Sequence, residues 1–142
     1  MDINNKVAVI TGGASGLGEA TVRRFSSLGA KVSIFDMNEE RGNTIASELG
    51  DSVIFQKVDV TDEASVQQGI AATLEAFGSI HICSNYAGVA DAAKTVSKKG
   101  AFPLSTFQKV ININLIGTFN VLRLVAEVMS KQDPVTEDGC RG

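Results

Sequence analysis

Glycines at positions 12, 16 and 18 give the segment Thr11–Gly18 the pattern G-x-x-x-G-x-G. Glycine, lacking a Cβ, permits a tight turn and lets the backbone approach a pyrophosphate closely. The segment follows a short apolar run and opens a helical pattern. A helix N-terminus presents free N–H groups and the positive end of a dipole to the same anion. Gly12, Ser15, Gly16, Leu17 and Gly18 are therefore candidate contacts to a dinucleotide. Asp36 lies 18 positions beyond Gly18, at the end of a second apolar run. A carboxylate there accepts hydrogen bonds from ribose hydroxyls and repels a 2′-phosphate. Ala14, Ser15 and Leu17 put no cation in the loop to receive such a phosphate. The expected cofactor is NAD rather than NADP. The plainer use of Asp36 is a turn or a helix N-cap.

Two further segments end apolar runs in the same way. They are Asp59 with Val60, and Asn85, Tyr86, Ala87 and Gly88. Ligands of open α/β sheets lie beyond the carboxyl ends of the strands, so all four run ends are expected at one crevice. Asp59 taken alone serves equally well as a helix cap.

The elements that must position these residues alternate. Apolar runs at 6–11, 31–35, 53–58 and 80–84 read as strands buried on both faces. Helical patterns fall at 16–28, at 39–49 before Gly50, and from a Thr61 cap to Phe77 before Gly78. Strand alternating with helix predicts βαβ units and a parallel sheet, the α/β doubly wound (Rossmann-type) class. Residues 88–104 form a long polar loop of the kind that is often functional. Ser105 to Gln108 read as a capping box opening a last helix over 105–131. That helix carries two apolar stripes, Phe107, Val110, Ile111, Leu115 and Leu122 on one and Ile113, Ile116, Leu124 and Val128 on the other. A second stripe beyond the one facing the sheet suggests a partner subunit. The polar tail from Lys131 reads as a connector.

Composition narrows the classes. The 142 residues are 44% hydrophobic and 20% charged with net charge −3, which is ordinary for a folded globular chain. No basic run interleaves with aromatics, so a nucleic-acid partner is not expected. No uninterrupted apolar run reaches the roughly 18 residues of a membrane helix, and no signal-peptide or Arg-rich transit pattern opens the chain. Cys83 and Cys140 form no disulfide framework, and both are expected as free thiols. No residues are assigned to a metal.

Taken together, Gly12-x-x-x-Gly16-x-Gly18, Asp59-Val60, Asn85-x-Ala87-Gly88 and Asn114-Leu-x-Gly117 resemble the short-chain dehydrogenase/reductase family over essentially the whole chain. The resemblance implies NAD-dependent oxidation of a secondary alcohol. It implies that Ser15 and Leu17 line the pyrophosphate site, that Asp36 binds the adenosine ribose, and that Asp59 and Val60 hold the adenine. It places residues 85–88 near the nicotinamide ribose. Tyr86 stands where the family usually has Asn or Cys, so a phenol must find room. Asn114 matches the family's catalytic Asn, which holds a water in a proton relay. Residues 93–100 and 119–126 resemble the branch that oxidises 3-hydroxyacyl-CoA and hydroxysteroids. That branch implies an acyl-CoA or alcohol/ketone substrate, with Lys98 and Lys99 available to a CoA phosphate. It also implies a homo-oligomer, a tetramer, and the mitochondrial matrix in a eukaryote or the cytoplasm otherwise.

The family's acid/base is a Tyr with a Lys four residues later. Here the only tyrosine is Tyr86, and position 90 is Ala90. Residues 1–142 are thus expected to be the N-terminal, NAD-binding part of one longer domain, incomplete after its fourth strand and leaving that strand as an open apolar edge. The alternative is a catalytically inactive fragment that binds NAD or another subunit. An acyl-carrier or sugar ketoreductase would tend to use NADPH, which Asp36 opposes.

Overall fold

The computed structural model describes residues 2–142. Strands β1 (Val7–Thr11), β2 (Lys31–Asp36), β3 (Val53–Lys57) and β4 (Ile82–Asn85) form one parallel sheet in the order β3-β2-β1-β4. The register pairs Val9 with Ser33 and Cys83, and Ile34 with Phe55. Helices α1 (Gly16–Ser27), α2 (Glu39–Leu49) and α3 (Glu63–Phe77) make the crossovers. Because side chains alternate along a strand, the sheet builds a core on each face. Ala8, Ile10, Val32 and Ile34 pack with Val22 of α1 and Ile45 of α2. Val9 and Phe35 pack on the other face with Val66 and Ile70 of α3. Complete burial of such side chains contributes about 1.5–3 kcal/mol each. This is the parallel α/β fold the alternation predicts.

Two helix starts differ from expectation. Asp62, not Thr61, caps α3, its carboxylate accepting the Ala64 N–H at 2.9 Å. Thr61 instead binds Asp59 through both its N–H and its hydroxyl. The last helix begins one residue before the expected capping box. Helix α4 (Leu104–Ile111) starts from Pro103, whose φ of −61° already suits a helix and whose carbonyl accepts the Thr106 N–H. Ser105 therefore lies inside the helix and caps nothing.

Helix α4 continues through a π-helical turn at Asn112–Gly117 into α5 (Thr118–Ser130). That turn takes Ile116 off the second stripe, because wider turns rotate residues off a 3.6-residue period. Ile113, Val121, Leu124, Val125 and Val128 face the core. Ile116 is instead 51% exposed, alongside Phe107, Leu115, Phe119 and Leu122. Leu104–Ser130 is long and apolar enough to cross a membrane by length and composition, although polar residues interrupt its apolar runs. Here one face of its α5 half packs on the sheet through Val121, Leu124 and Val125, with Asn120 donating to the Val60 carbonyl at 2.9 Å.

The long loop carries a small antiparallel pair, β5 (Val96–Ser97) and β6 (Gly100–Ala101), with Lys98 and Lys99 at its tip. The tail also does more than connect. The Gln132 side chain accepts the Ile80 N–H and donates to the Ile80 carbonyl, both at 2.7 Å. It gives Ile80, two residues before β4, the two bonds a neighbouring strand would give. Within the sheet β4 pairs with β1 alone. Cys83 and Cys140 are free.

Candidate functional site

The carboxyl ends of the four strands open onto one crevice of about 590 Å³. Its walls include Gly12, Ser15, Gly16, Leu17, Gly18, Asp36, Asp59, Val60, Tyr86, Ala87 and Gly88. Asn85 does not line it. Its Oδ1 lies 3.5 Å from Thr11 Oγ1, at the end of β4. Asn114 does not line it either, but holds Val89, which does.

The three glycines of the loop do different physical work. A Cβ on Gly12 would lie 2.7 Å from the Tyr86 carbonyl carbon and the Ala87 nitrogen, so this glycine lets two loop backbones touch. A Cβ on Gly18 would lie 2.1 Å from the Gly12 carbonyl oxygen, so α1 can close on the loop only without one. Gly16 has φ +53° and would place a Cβ in open space. That open space is wide enough to admit an anion at the start of α1.

The start of α1 is chemically distinct from its neighbours. Asn38 caps α2 and Asp62 caps α3 with their side chains, whereas Ser15 makes no side-chain cap at α1. The α1 N–H groups that face the crevice are left for an anion, at the positive end of the helix dipole. A dinucleotide pyrophosphate fits this donor set.

Asp36 holds one backbone N–H on each oxygen, Asn38 at 2.9 Å and Ala14 at 3.0 Å. These bonds fix the carboxylate at the crevice and leave lone pairs for hydroxyl donors. Asp59 has a structural use as well: its Oδ1 takes both Thr61 donors, and its own N–H donates to Ser65 Oγ at 3.0 Å. The Val60 backbone is fixed from outside by Asn120. Tyr86 finds room by turning towards α1, where its hydroxyl lies 3.1 Å from Thr21 Oγ1.

Several residues of the crevice escaped the motifs. Phe35, Met37, Val58, Val89 and Ile113 line it. Met37 and Val58 directly neighbour Asp36 and Asp59, which is the signal that could have found them. Thr11 ties the two loops together, its hydroxyl accepting the Tyr86 and Ala87 N–H groups at 3.1 Å each. Burial pushes the Cys83 thiol upward, which disfavours the thiolate.

Comparison with known proteins bears on the same residues. The short chain dehydrogenase family model matches residues 6–134. The 3-hydroxyacyl-CoA dehydrogenase type-2 of Drosophila melanogaster is 46% identical over 142 residues, covering 99% of this chain and 55% of that protein. A crystal structure of 3-hydroxyacyl-CoA dehydrogenase type-2 from Mycobacterium avium superposes with a TM-score of 0.87 at 37% identity, covering 97% of this chain and 54% of that one. A 3-ketoacyl-(acyl-carrier-protein) reductase from Brucella melitensis, solved with NADH, superposes with a TM-score of 0.83 at 30% identity, covering 91% and 52%. The chain spans about half the length of the curated relatives it matches. The glycine loop, the parallel sheet and the crevice at its carboxyl edge, matched across this length, identify the chain as a member of the short-chain dehydrogenase family, whose proteins are oxidoreductases that use a nicotinamide cofactor.

Proposed function

We propose that this chain binds NAD, rather than NADP, and is the cofactor half of a dehydrogenase acting on a secondary alcohol. The observation that carries the reading is the uncapped α1 N-terminus opening onto a crevice whose wall also carries Asp36. On this reading the α1 N–H groups and the glycine loop hold the pyrophosphate. Asp36 takes the adenosine ribose, Asp59 and Val60 the adenine, and residues 85–88 the nicotinamide ribose. NAD, when bound, supplies the hydride acceptor. Asn114 orders the loop beside that end of the site, and its place matches the family's catalytic Asn.

The proposed substrate class is 3-hydroxyacyl-CoA or a hydroxysteroid, supported by the type-2 relatives. Lys98 and Lys99, exposed at the β5–β6 tip, are available to a CoA phosphate. The outward apolar face of α4 and α5 supports assembly with further copies. The mitochondrial matrix in a eukaryote, or the cytoplasm otherwise, fits such a role. Residues 1–142 contain no Tyr-x-x-x-Lys, so they are proposed to bind cofactor without turning over.

The test is to follow NAD reduction with a short 3-hydroxyacyl-CoA alongside NAD binding by calorimetry. Binding without turnover by these 142 residues is expected. Turnover by them would overturn the assignment of the acid/base, and absence of NAD binding would overturn the cofactor assignment.

A further inference from the structure

One acidic side chain joins the starts of α1 and α2 beside the crevice. Glu19, in the first turn of α1, takes Arg41 Nη2 on both carboxylate oxygens, at 2.7 and 2.9 Å. Its Oε1 also accepts Arg23 Nε at 2.9 Å, and Glu48 takes the far end of Arg23 at 2.6 Å. The Glu19 side chain is 16% exposed and that of Arg41 46%, so the carboxylate is the fixed member of the pair. Arg41 is the first cation after Asp36 in the sequence. The two are bridged by Asn38, whose N–H donates to Asp36 and whose side chain accepts the Arg41 N–H. Among the described residues no Lys or Arg lines the crevice, whereas Asp36 and Asp59 do.

We propose that Glu19 is a specificity-determining residue for the cofactor: by holding Arg41 against α1, it keeps that guanidinium from receiving a 2′-phosphate and so reinforces NAD over NADP. The inference rests on the NAD reading above. An Arg near the adenosine ribose is what lets such a fold accommodate a 2′-phosphate, and its planar fork pairs with phosphate at two points. Arg41 has that chemistry and starts one residue's bridge from Asp36. Its fork is already engaged. Reaching a phosphate requires leaving Glu19, a little-exposed carboxylate that would then keep Arg23 alone. That cost opposes NADP and leaves NAD untouched. Asp36 acts by direct repulsion, whereas Glu19 acts through Arg41 and is a positioning residue.

The test is to titrate NADH and NADPH into the wild-type chain and into Glu19→Gln and Glu19→Leu, each checked for folding by a thermal melt. Leu keeps the helix and much of the volume should the Gln variant fail to fold. Either Glu19 variant is expected to raise NADPH affinity relative to NADH about tenfold, the scale of one charge-assisted hydrogen bond. Adding Arg41→Leu should return the ratio to the wild-type value. Glu48→Gln, which removes the same charge from the far end of Arg23, should leave it unchanged. The single Arg41→Leu variant should also keep the wild-type ratio. An unchanged ratio in a folded Glu19 variant, a gain that survives Arg41→Leu, or a loss of NADPH affinity in Arg41→Leu alone overturns the inference while leaving NAD binding intact. A wild-type chain that binds neither nucleotide overturns the NAD reading and this inference with it.

Discussion

Asn114 grips the main chain of Val89 at two points. Its Oδ1 accepts the Val89 N–H and its Nδ2 donates to the Val89 carbonyl, both at 2.9 Å. The amide thus gives one residue of the crevice wall the pair of bonds a strand would give. It does so from the π-helical turn Asn112–Gly117. Gly88 must stay close for this to work, since a Cβ there would sit 3.3 Å from Asn114 Oδ1. A mid-helix Asn, unfavourable for helix stability by itself, is used here to order a loop.

Replacing Asn114 by Ala removes both bonds. Two net hydrogen bonds predict a loss of about 1–2 kcal/mol, read as a lower urea midpoint. NADH affinity should fall as well, because Val89 and Gly88 line the crevice. Asn114→Asp keeps an acceptor for the N–H but turns a carboxylate oxygen on the Val89 carbonyl. It should destabilise at least as much as Ala at neutral pH. An Asp variant as stable as wild type would mean the Nδ2 bond contributes nothing.

The glycines predict a separation of folding from binding. Gly18→Ala forces a methyl against the Gly12 carbonyl and should cost about 3 kcal/mol of stability through overpacking. Gly16→Ala meets no atom within 4 Å, so only its φ of +53° is penalised, by about 1 kcal/mol. On the proposed reading its methyl nevertheless enters the space that holds the pyrophosphate. The Gly16 variant should remain folded in a thermal melt while binding NADH more than about tenfold less tightly. Full NADH affinity in that variant would place the pyrophosphate elsewhere.

His81 makes stability depend on pH. Its N–H donates to the Val7 carbonyl at 2.8 Å, and its Nδ1 accepts the Val7 N–H at 3.0 Å. A protonated Nδ1 cannot accept that bond. Burial, with Lys6 nearby, holds the imidazole below its ordinary value of 6.5. The unfolded chain therefore takes up a proton near pH 6.5 before the folded chain does. Stability is complete above about pH 6.5 and falls as the pH drops below it, until the folded imidazole is protonated as well. Urea midpoints measured on either side of that pH check the sign. His81→Gln should flatten the change in that window. The carboxylate of Glu19, held low by Arg41 and then Arg23, loses its contribution only in a more acidic window below its ordinary 4.5.

How much was legible follows from what each feature depends on. Strands buried on both faces read as unbroken apolar runs, so the central β1 and β2 are legible in the sequence, as is the glycine loop between β1 and α1. Strands β3 and β4 are instead sheet edges that are only partly buried, not buried on both faces as their apolar runs suggest. Asp36 was legible because its distance from the glycines is set by one strand–helix–strand unit. The π-helical turn is not legible, because periodicity assumes a constant turn, and so the 3.6-residue pattern puts Ile116 with the core residues although it is exposed. Contacts between distant residues left no local trace. The Gln132 grip on Ile80, the Asn120 bond to Val60 and the Glu19 hold on Arg41 each join elements far apart in the chain. Asp62 and Thr61 are both good caps, and only the Asp59 turn decides between them.

The central claim is that the crevice holds NAD through the α1 N-terminus and Asp36. Calorimetric titration of NADH into the folded chain, with Asp36→Asn beside it, tests this most directly. The account predicts saturable binding at one site, weakened about tenfold in Asp36→Asn, as the loss of a charged acceptor for ribose hydroxyls implies. A folded chain that gives no saturable heat, or one whose affinity is indifferent to Asp36, would contradict it.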